Sequence, residues 1–382
     1  MIMSHKGKFS EYFMIINFSC ITDTIKILLH RENPDLLNNL DLNNDEIFLE
    51  PLIFAYFNTK DKLFLTSKYL EQIMQGYFKT STPIKLDNCN REINYLPKLG
   101  YYTKSGIKIQ DCFIIKNTNI ELIYKSFELL EKIFEQASSN NTAKEIIMDS
   151  SLFNKFITNI EEAFKLIKEN SPQHFKLIEM CCKRIILFKT NPNVTNSFAT
   201  INAHGMAFIN AYQKDYNAIF FIDDIAHQTG HIILTSYFFK KDKIFKISPN
   251  IKIGEILGND DYRDFYTLIH ALYTYYTTFT CLNDCLKNNV FVGKDKTEAI
   301  ARIGFYLNKC TYDLYFFDSF ISKFGNIDNA LHNEGVLIIN RVKQTYIGIK
   351  KEWMELISHF NYDNQPYNFT AKIFFETNKF IQ

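Results

Sequence analysis

The sequence predicts a mainly α-helical protein with minor β or extended segments, and three observations carry that expectation. Apolar residues recur at three- and four-residue spacing through most of the 382-residue chain. Only 13 glycines and 8 prolines interrupt the pattern. Hydrophobic residues make up 46% against 22% charged, a balance that suits packed helices rather than a disordered chain. The length is sufficient for a sizeable core, and we expect an N-terminal helical part over 1–110 and a larger helical body over 111–382.

In chain order, residues 80–116 hold Pro83, Pro97, Gly100 and Gly106 among β-branched runs, which predicts a linker or a small hairpin. A helix is expected over 117–137, where Ile120, Ile123, Phe127, Leu130, Ile133 and Phe134 fall on one face. Residues 151–169 repeat the pattern through Phe153, Phe156, Ile160, Phe164 and Ile167. Ser171 and Pro172 look like an N-cap and first-turn pair opening a helix that runs to 189. Residues 200–209 read as a short strand or extended segment. Longer helices follow at about 218–240, 260–288, 296–324 and 328–359. Neither a repeat nor a low-complexity tract is visible.

The 43 Lys+Arg residues balance 42 Asp+Glu, leaving a net charge of +1. That argues against a nucleic-acid groove or an anionic membrane surface as the main partner. No run approaches the ~20 apolar residues of a membrane span, and the stretch 12–29 is broken by Asp23 and Lys26 without a small-residue cleavage pattern. The eight cysteines (Cys20, Cys89, Cys112, Cys181, Cys182, Cys281, Cys285 and Cys310) form no C-x-x-C pair, and a disulfide between Cys281 and Cys285 within one helix would be strained. A cytoplasmic protein with reduced thiols is expected. The apolar stretch 315–324 suits either core or a homodimer interface.

One constellation could carry metal chemistry: His227-Gln228-Thr229-Gly230-His231. Histidines at i and i+4 share a helix face, so both rings can reach one ion. Their flanks are apolar, and buried imidazoles need partners, of which a metal is one. The competing reading is a pair of core histidines. Gly230 costs a helix roughly 1 kcal/mol relative to alanine, which suggests close approach of another group on that side. The motif is like the H-E-x-x-H of zinc proteases, but Gln228 stands where those enzymes hold their general base, and an amide cannot accept a proton at neutral pH. What remains is a metal platform without the base, suited to a metal that activates oxygen itself, such as ferrous iron. His270, Glu255, Asp224 and Asp261 are candidates for a third ligand. Arg263 and His270 are seven residues apart, so a helix over 260–288 would put them on one face, an arrangement suited to an ion with a carboxylate bound beside it.

The chain uses only six arginines, Arg31, Arg91, Arg184, Arg263, Arg302 and Arg341, in a lysine-rich background. Each is a position where lysine was passed over, and the last three fall in the segment that holds the histidine motif.

Met206-Ala207-Phe208-Ile209, then Ile225-Ala226-His227-Gln228-Thr229-Gly230-His231, then Asp261-Tyr262-Arg263 and Leu268-Ile269-His270-Ala271-Leu272-Tyr273, follow one another in an order and spacing that resembles the HExxH-motif peptide-modification family, the α-ketoglutarate-dependent peptide β-hydroxylases of ribosomal peptide biosynthesis. Residues 327–346, in which Glu334-Gly335 open a helix carrying Arg341, are similar to the C-terminal helix of that family. The match covers roughly 200–345, and Gln228 departs from the family glutamate. The resemblance implies Fe(II) held by His227, His231 and His270, with α-ketoglutarate (2-oxoglutarate) and O2 as co-substrates and a precursor peptide as substrate. It also implies an arginine for the distal carboxylate of the co-substrate, with Arg263 first and Arg302 and Arg341 in reserve. Tyr237, Tyr266 and Tyr273 would line the cavity, Gln228 would lie beside the metal, and His204 would be a pocket residue or a loop histidine. Two other classes stay open: a zinc-dependent peptide hydrolase, which Gln228 opposes, and a metal-free helical peptide-binding protein.

Overall fold

In a computed structural model, the structure describes residues 3–59, 66–80, 82–86, 92–137 and 145–379, with the backbone alone for 3–13; Cys89 and Arg91 lie outside the described residues. The elements in chain order are α1 (Met3–Glu32), α2 (Pro34–Asn38), α3 (Pro51–Asn58), α4 (Ser67–Met74), β1 (Ile93–Leu96), β2 (Gly100–Thr103), β3 (Lys108–Gln110), β4 (Glu121–Ile123), α5 (Glu128–Ala137), α6 (Ser150–Asn170), α7 (Pro172–Cys181), β5 (Arg184–Phe188), β6 (Phe198–Ala199), β7 (Met206–Asn210), α8 (Ala218–Tyr237), α9 (Ile253–Leu257), α10 (Phe265–Lys287), α11 (Gly293–Ser322), α12 (Ile327–Ala330), α13 (Asn333–Ile357) and α14 (Ala371–Thr377). The mainly helical expectation holds. Among the described residues, no helix is long and apolar enough to cross a membrane.

The chain divides into two compact units, and the expected boundary at 110/111 falls inside the first. The first unit comprises Met1–Glu161, Leu177–Tyr216 and Thr235–Phe239. It holds both sheets: an antiparallel β1-β2-β3 and a four-stranded sheet in the order β4-β5-β7-β6. In the latter, β4, β5 and β7 run parallel, with Leu122 beside Ile185 and Ile185 beside Ala207, and β6 is antiparallel to β7. Leu29, Phe48, Ile53 and Tyr56 from the helices pack with Phe134, Phe188 and Phe208 in its core.

Two expected helices are half strand. The pattern over 117–137 yields β4 and then α5. Asn117 turns the chain at φ 61°, and Ile120, Leu122 and Ile123 are buried in or beside the parallel strand. The helix expected to run to 189 stops at Cys181, and Arg-Ile-Ile-Leu-Phe forms β5, buried at every position. A strand buried on both faces reads as a continuous apolar run, which spacing alone does not separate from a buried helix. Of the linker or small hairpin expected over 80–116, the hairpin is found as β1-β2, extended by β3, and the strand expected over 200–209 is β7, starting at Met206. The helix over 328–359 is α13, preceded by the short α12.

Arg184, given no role by the sequence, ties this unit together. Its guanidinium donates to both oxygens of Glu50 (2.5 and 2.9 Å), and its Nε donates to Glu121 and to the Tyr95 hydroxyl (both 3.0 Å). The Tyr77 hydroxyl donates to Glu50, which also caps α3 by accepting from the Leu52 amide. Burial alone would raise the Glu50 carboxyl, but Arg184 beside it outweighs burial and holds it below the usual carboxylate range.

The second unit comprises Glu162–Lys176, Asn217–Leu234 and Lys240–Gln382. It is helical: α10 packs against α11 and α13, and α11 against α13. Phe317 and Phe320, from the apolar stretch 315–324, are buried against Phe265, whereas Tyr315 is exposed.

Arg184→Ala is expected to destabilise the protein by about 3–5 kcal/mol, because it leaves Glu50 and Glu121 buried without their counter-charge. Arg184→Lys recovers only part of this, since one ammonium cannot reproduce the fork. Denaturant unfolding checks both, and a loss under about 1 kcal/mol for the alanine variant would mean that the network is not a stability element.

Candidate metal centre

The site belongs to the second unit and is built where α10 approaches α8. An added Cβ at Gly230 would stand 2.5 Å from the Thr277 hydroxyl oxygen and 3.4 Å from a Thr274 methyl. Thr277 donates to the Ala226 carbonyl (2.8 Å), bonding one helix to the other. The close approach that Gly230 implied is therefore α10 itself. Thr274 and Thr277 lie four and seven residues after His270, on the same helix face, so this contact turns His270 toward α8.

There the three histidines are neighbours. His231 Nδ1 and His270 Nδ1 are 3.3 Å apart, with the rings stacked at 5.5 Å and 15°. His227 lies one turn from His231, rings at 5.3 Å and 71°. His227 Nδ1 is buried without a hydrogen-bond partner. Burial lowers the pKa of all three: His231 to about 4, and His227 and His270 well below the usual imidazole range, each with added repulsion from His231 and a lysine (Lys309 for His227, Lys241 for His270). The imidazoles are thus held neutral, the form that ligates metals. Among the described residues, no group of three or more His, Cys, Asp or Glu side chains is arranged to hold a metal ion.

Other candidate ligands are engaged elsewhere. Asp224 accepts from Gln228 Nε2 (3.1 Å), a bond along its own helix, while Gln228 Oε1 is buried without a hydrogen-bond partner. Glu255 is exposed on α9, and Asp261 is bonded to Arg263.

Arg263 does not share a helix face with His270, because α10 begins only at Phe265. Asp264 caps the helix by accepting from the Thr267 amide (2.8 Å), and Asx turns at Asn259 and Asp261 hold the preceding residues out of it. The Arg263 guanidinium binds two carboxylates, Asp261 and Asp313 (2.8 Å each). Arg302, 1% exposed on α11, likewise binds Asp223 and Glu298 at 2.8 Å each. Arg341 is exposed on α13, 6.0 Å over the Tyr276 ring.

Of the tyrosines, Tyr266 lies 4.4 Å from the His270 ring, with the Lys241 ammonium 4.1 Å from the centre of the Tyr266 ring. Tyr273 is buried against Tyr276, and Tyr237 ends α8 within the first unit. His204 is also in that unit, in the turn just before β7 as a loop histidine, and it is buried and bonded to the Ser236 hydroxyl (3.0 Å). The sequence reading missed Tyr275 and Tyr306, whose rings are 6.5 and 5.8 Å from His227. It also missed Asp313, which accepts from Tyr275 (3.1 Å), and Asp223. A signal existed for Asp223: it stands four residues before His227, extending the 227/231 stripe.

No protein-family model matches the chain, and no curated protein was found to be similar to it.

Gly230→Ala separates helix propensity from packing. Propensity alone would stabilise α8 by about 1 kcal/mol. The contact with Thr277 instead predicts a net loss of about 1–3 kcal/mol, largely recovered by adding Thr277→Ala. Thermal unfolding of both variants checks this, and a rise in Tm for Gly230→Ala alone would contradict the tight crossing.

Proposed function

We propose that the chain is an Fe(II)- and 2-oxoglutarate-dependent hydroxylase acting on a side chain of a ribosomally made precursor peptide. The observation that carries the reading is the gathering of His227, His231 and His270, all neutral by burial, at one helix crossing. The 3.3 Å between His231 Nδ1 and His270 Nδ1 suits two ligands on one ion, since nitrogens at ~2.1 Å and a tetrahedral angle stand ~3.4 Å apart. His227 Nδ1, buried and without a hydrogen-bond partner, is a third donor that a cation would satisfy. Turning of the rings about their side-chain torsions would bring the three onto a common ion. The peptide substrate and the co-substrate rest on the resemblance in motif order.

When bound, iron with 2-oxoglutarate and O2 supplies the oxidation that replaces a peptide C–H by C–OH, the oxo-acid being decarboxylated to succinate. The protein's own part is to fix the imidazoles and to exclude water. Thr277 and Gly230 hold His270 against His231, while Tyr266, Tyr275 and Tyr306 wall the histidines. Gln228, directed at Asp224, is a positioning residue in this reading rather than a base, which sets the site apart from a hydrolase.

The bond-like approach of His231 to His270 favours one second reading, a metal-free peptide-binding protein in which the imidazoles satisfy each other. Reconstitution decides between them. With Fe(II), 2-oxoglutarate, O2 and a precursor peptide encoded beside this gene, succinate should form and the peptide should gain one oxygen atom; His231→Ala and His270→Ala should each lower the rate at least 100-fold. Bound peptide with no succinate under those conditions would select the metal-free reading.

A further inference from the structure

The sheet edges of the first unit are not equally covered. β4 is buried at every position, and the segment before it lies alongside, with Ile114 bridged to Glu121 and the Leu122 amide donating to the Phe113 carbonyl. β1 is buried at three of its four residues. β3 ends the β1-β2-β3 sheet, and among the described residues no strand pairs beyond it. Lys108 and Ile109 are exposed, Ile109 at 45%, and the flanking Ile107 and Ile114 are exposed at 65% and 50%. An open edge that carries β-branched apolar side chains is a template for a further strand.

A bulge decides which charges this edge shows. Tyr101 pairs with Gln110 and Tyr102 with Lys108, so neighbours on β2 face residues two apart on β3, with Ile109 as the extra residue. Tyr101 and Tyr102 point to opposite faces of the sheet, and so therefore do Lys108 and Gln110, which a regular strand would put on the same face. Asp111, the next residue, returns to the face of Lys108. The two form an ion pair whose side chains are 44% and 85% exposed. An edge that only needs protection carries lysine or an inward charge. This one carries both signs on one face, three residues apart.

We propose that β3 is a self-recognition edge, on which β3 of a second copy of this chain pairs antiparallel about a two-fold axis normal to the sheet. Charge complementarity selects that occupant. With the axis between Ile109 and Gln110, Lys108 stands opposite Asp111 of the second copy and Asp111 opposite its Lys108, all on one face. One exposed ion pair within each chain is exchanged for two across the interface, and two three-stranded sheets become one. A net charge of +1 sets up little repulsion between copies. With only three residues in β3, the contact falls short of the roughly 800 Å² per partner of a standard interface, so the dimer is reversible. Self-pairing here depends neither on the histidines nor on a metal.

Sedimentation equilibrium of the full-length protein is the test, with circular dichroism to check that each variant is folded. Wild type should shift reversibly between monomer and dimer as its concentration rises. Lys108→Asp and Asp111→Lys each set like charges against each other across the two-fold, and each should weaken the dimer at least about tenfold. Mixed in equal amounts, the two should associate to within about threefold of wild type, because an edge acidic at both positions then meets one that is basic at both. Loss of the ion pair within a chain is not repaired by mixing, so the mixture separates an interface from a merely structural role. The double variant Lys108→Asp/Asp111→Lys, which keeps both kinds of pair with the signs exchanged, should dimerise like wild type. A wild type that stays monomeric up to about 0.5 mM would overturn the proposal. So would a dimer that neither single reversal weakens, or single variants that remain monomeric when mixed. A monomer whose 107–111 amides are protected from hydrogen exchange only by an added extended peptide would give the edge to a foreign strand instead.

Discussion

The contact between Gly230 and Thr277 sets how closely α8 and α10 approach each other in the second unit. A helix with any side chain at position 230 would stand farther from α10, and His270 would no longer reach His231. Glycine is costly within a helix, so its presence at the crossing trades local stability for an approach that brings residues 39 positions apart to 3.3 Å. The two threonines on that face of α10 serve the same purpose: both are buried, and each satisfies its hydroxyl on a backbone carbonyl, so a polar side chain adds no desolvation penalty at the interface.

Two arginines of the unit each bind two carboxylates. Arg302 holds Asp223 and Glu298, and Arg263 holds Asp261 and Asp313, so each guanidinium fork is engaged within the protein. The first unit uses the same device in Arg184 with Glu50 and Glu121, far in sequence from each other and from any motif. In a lysine-rich chain, the three buried or half-buried arginines of the described residues are thus fork-shaped clamps for pairs of carboxylates, a task that a lysine point charge does less well.

Much of the helical frame was legible in the sequence. The spacing of Phe153, Phe156, Ile160 and Phe164 gave α6 almost to the residue, and the i, i+4 pair 227/231 stood out on an apolar helix. What was not legible came from tertiary context. β4 and β5 are buried on both faces, so their apolar runs carry no period that distinguishes strand from helix. The start of α10 was hidden because Asp264 competes as a cap with Asp260 and Asp261, and that error put Arg263 on a face it does not occupy. His270 was a candidate among four; only the crossing geometry separates it from Glu255, Asp224 and Asp261.

The central claim is that the three histidines share one ion. Crystals of protein loaded with Fe(II) under anaerobic conditions, measured on both sides of the iron absorption edge, test it most directly. The account predicts a single anomalous peak within about 2.0–2.3 Å of nitrogens from His227, His231 and His270. Full iron occupancy at another place, or no peak on these histidines at saturating iron with His231 and His270 still bonded to each other, would contradict it.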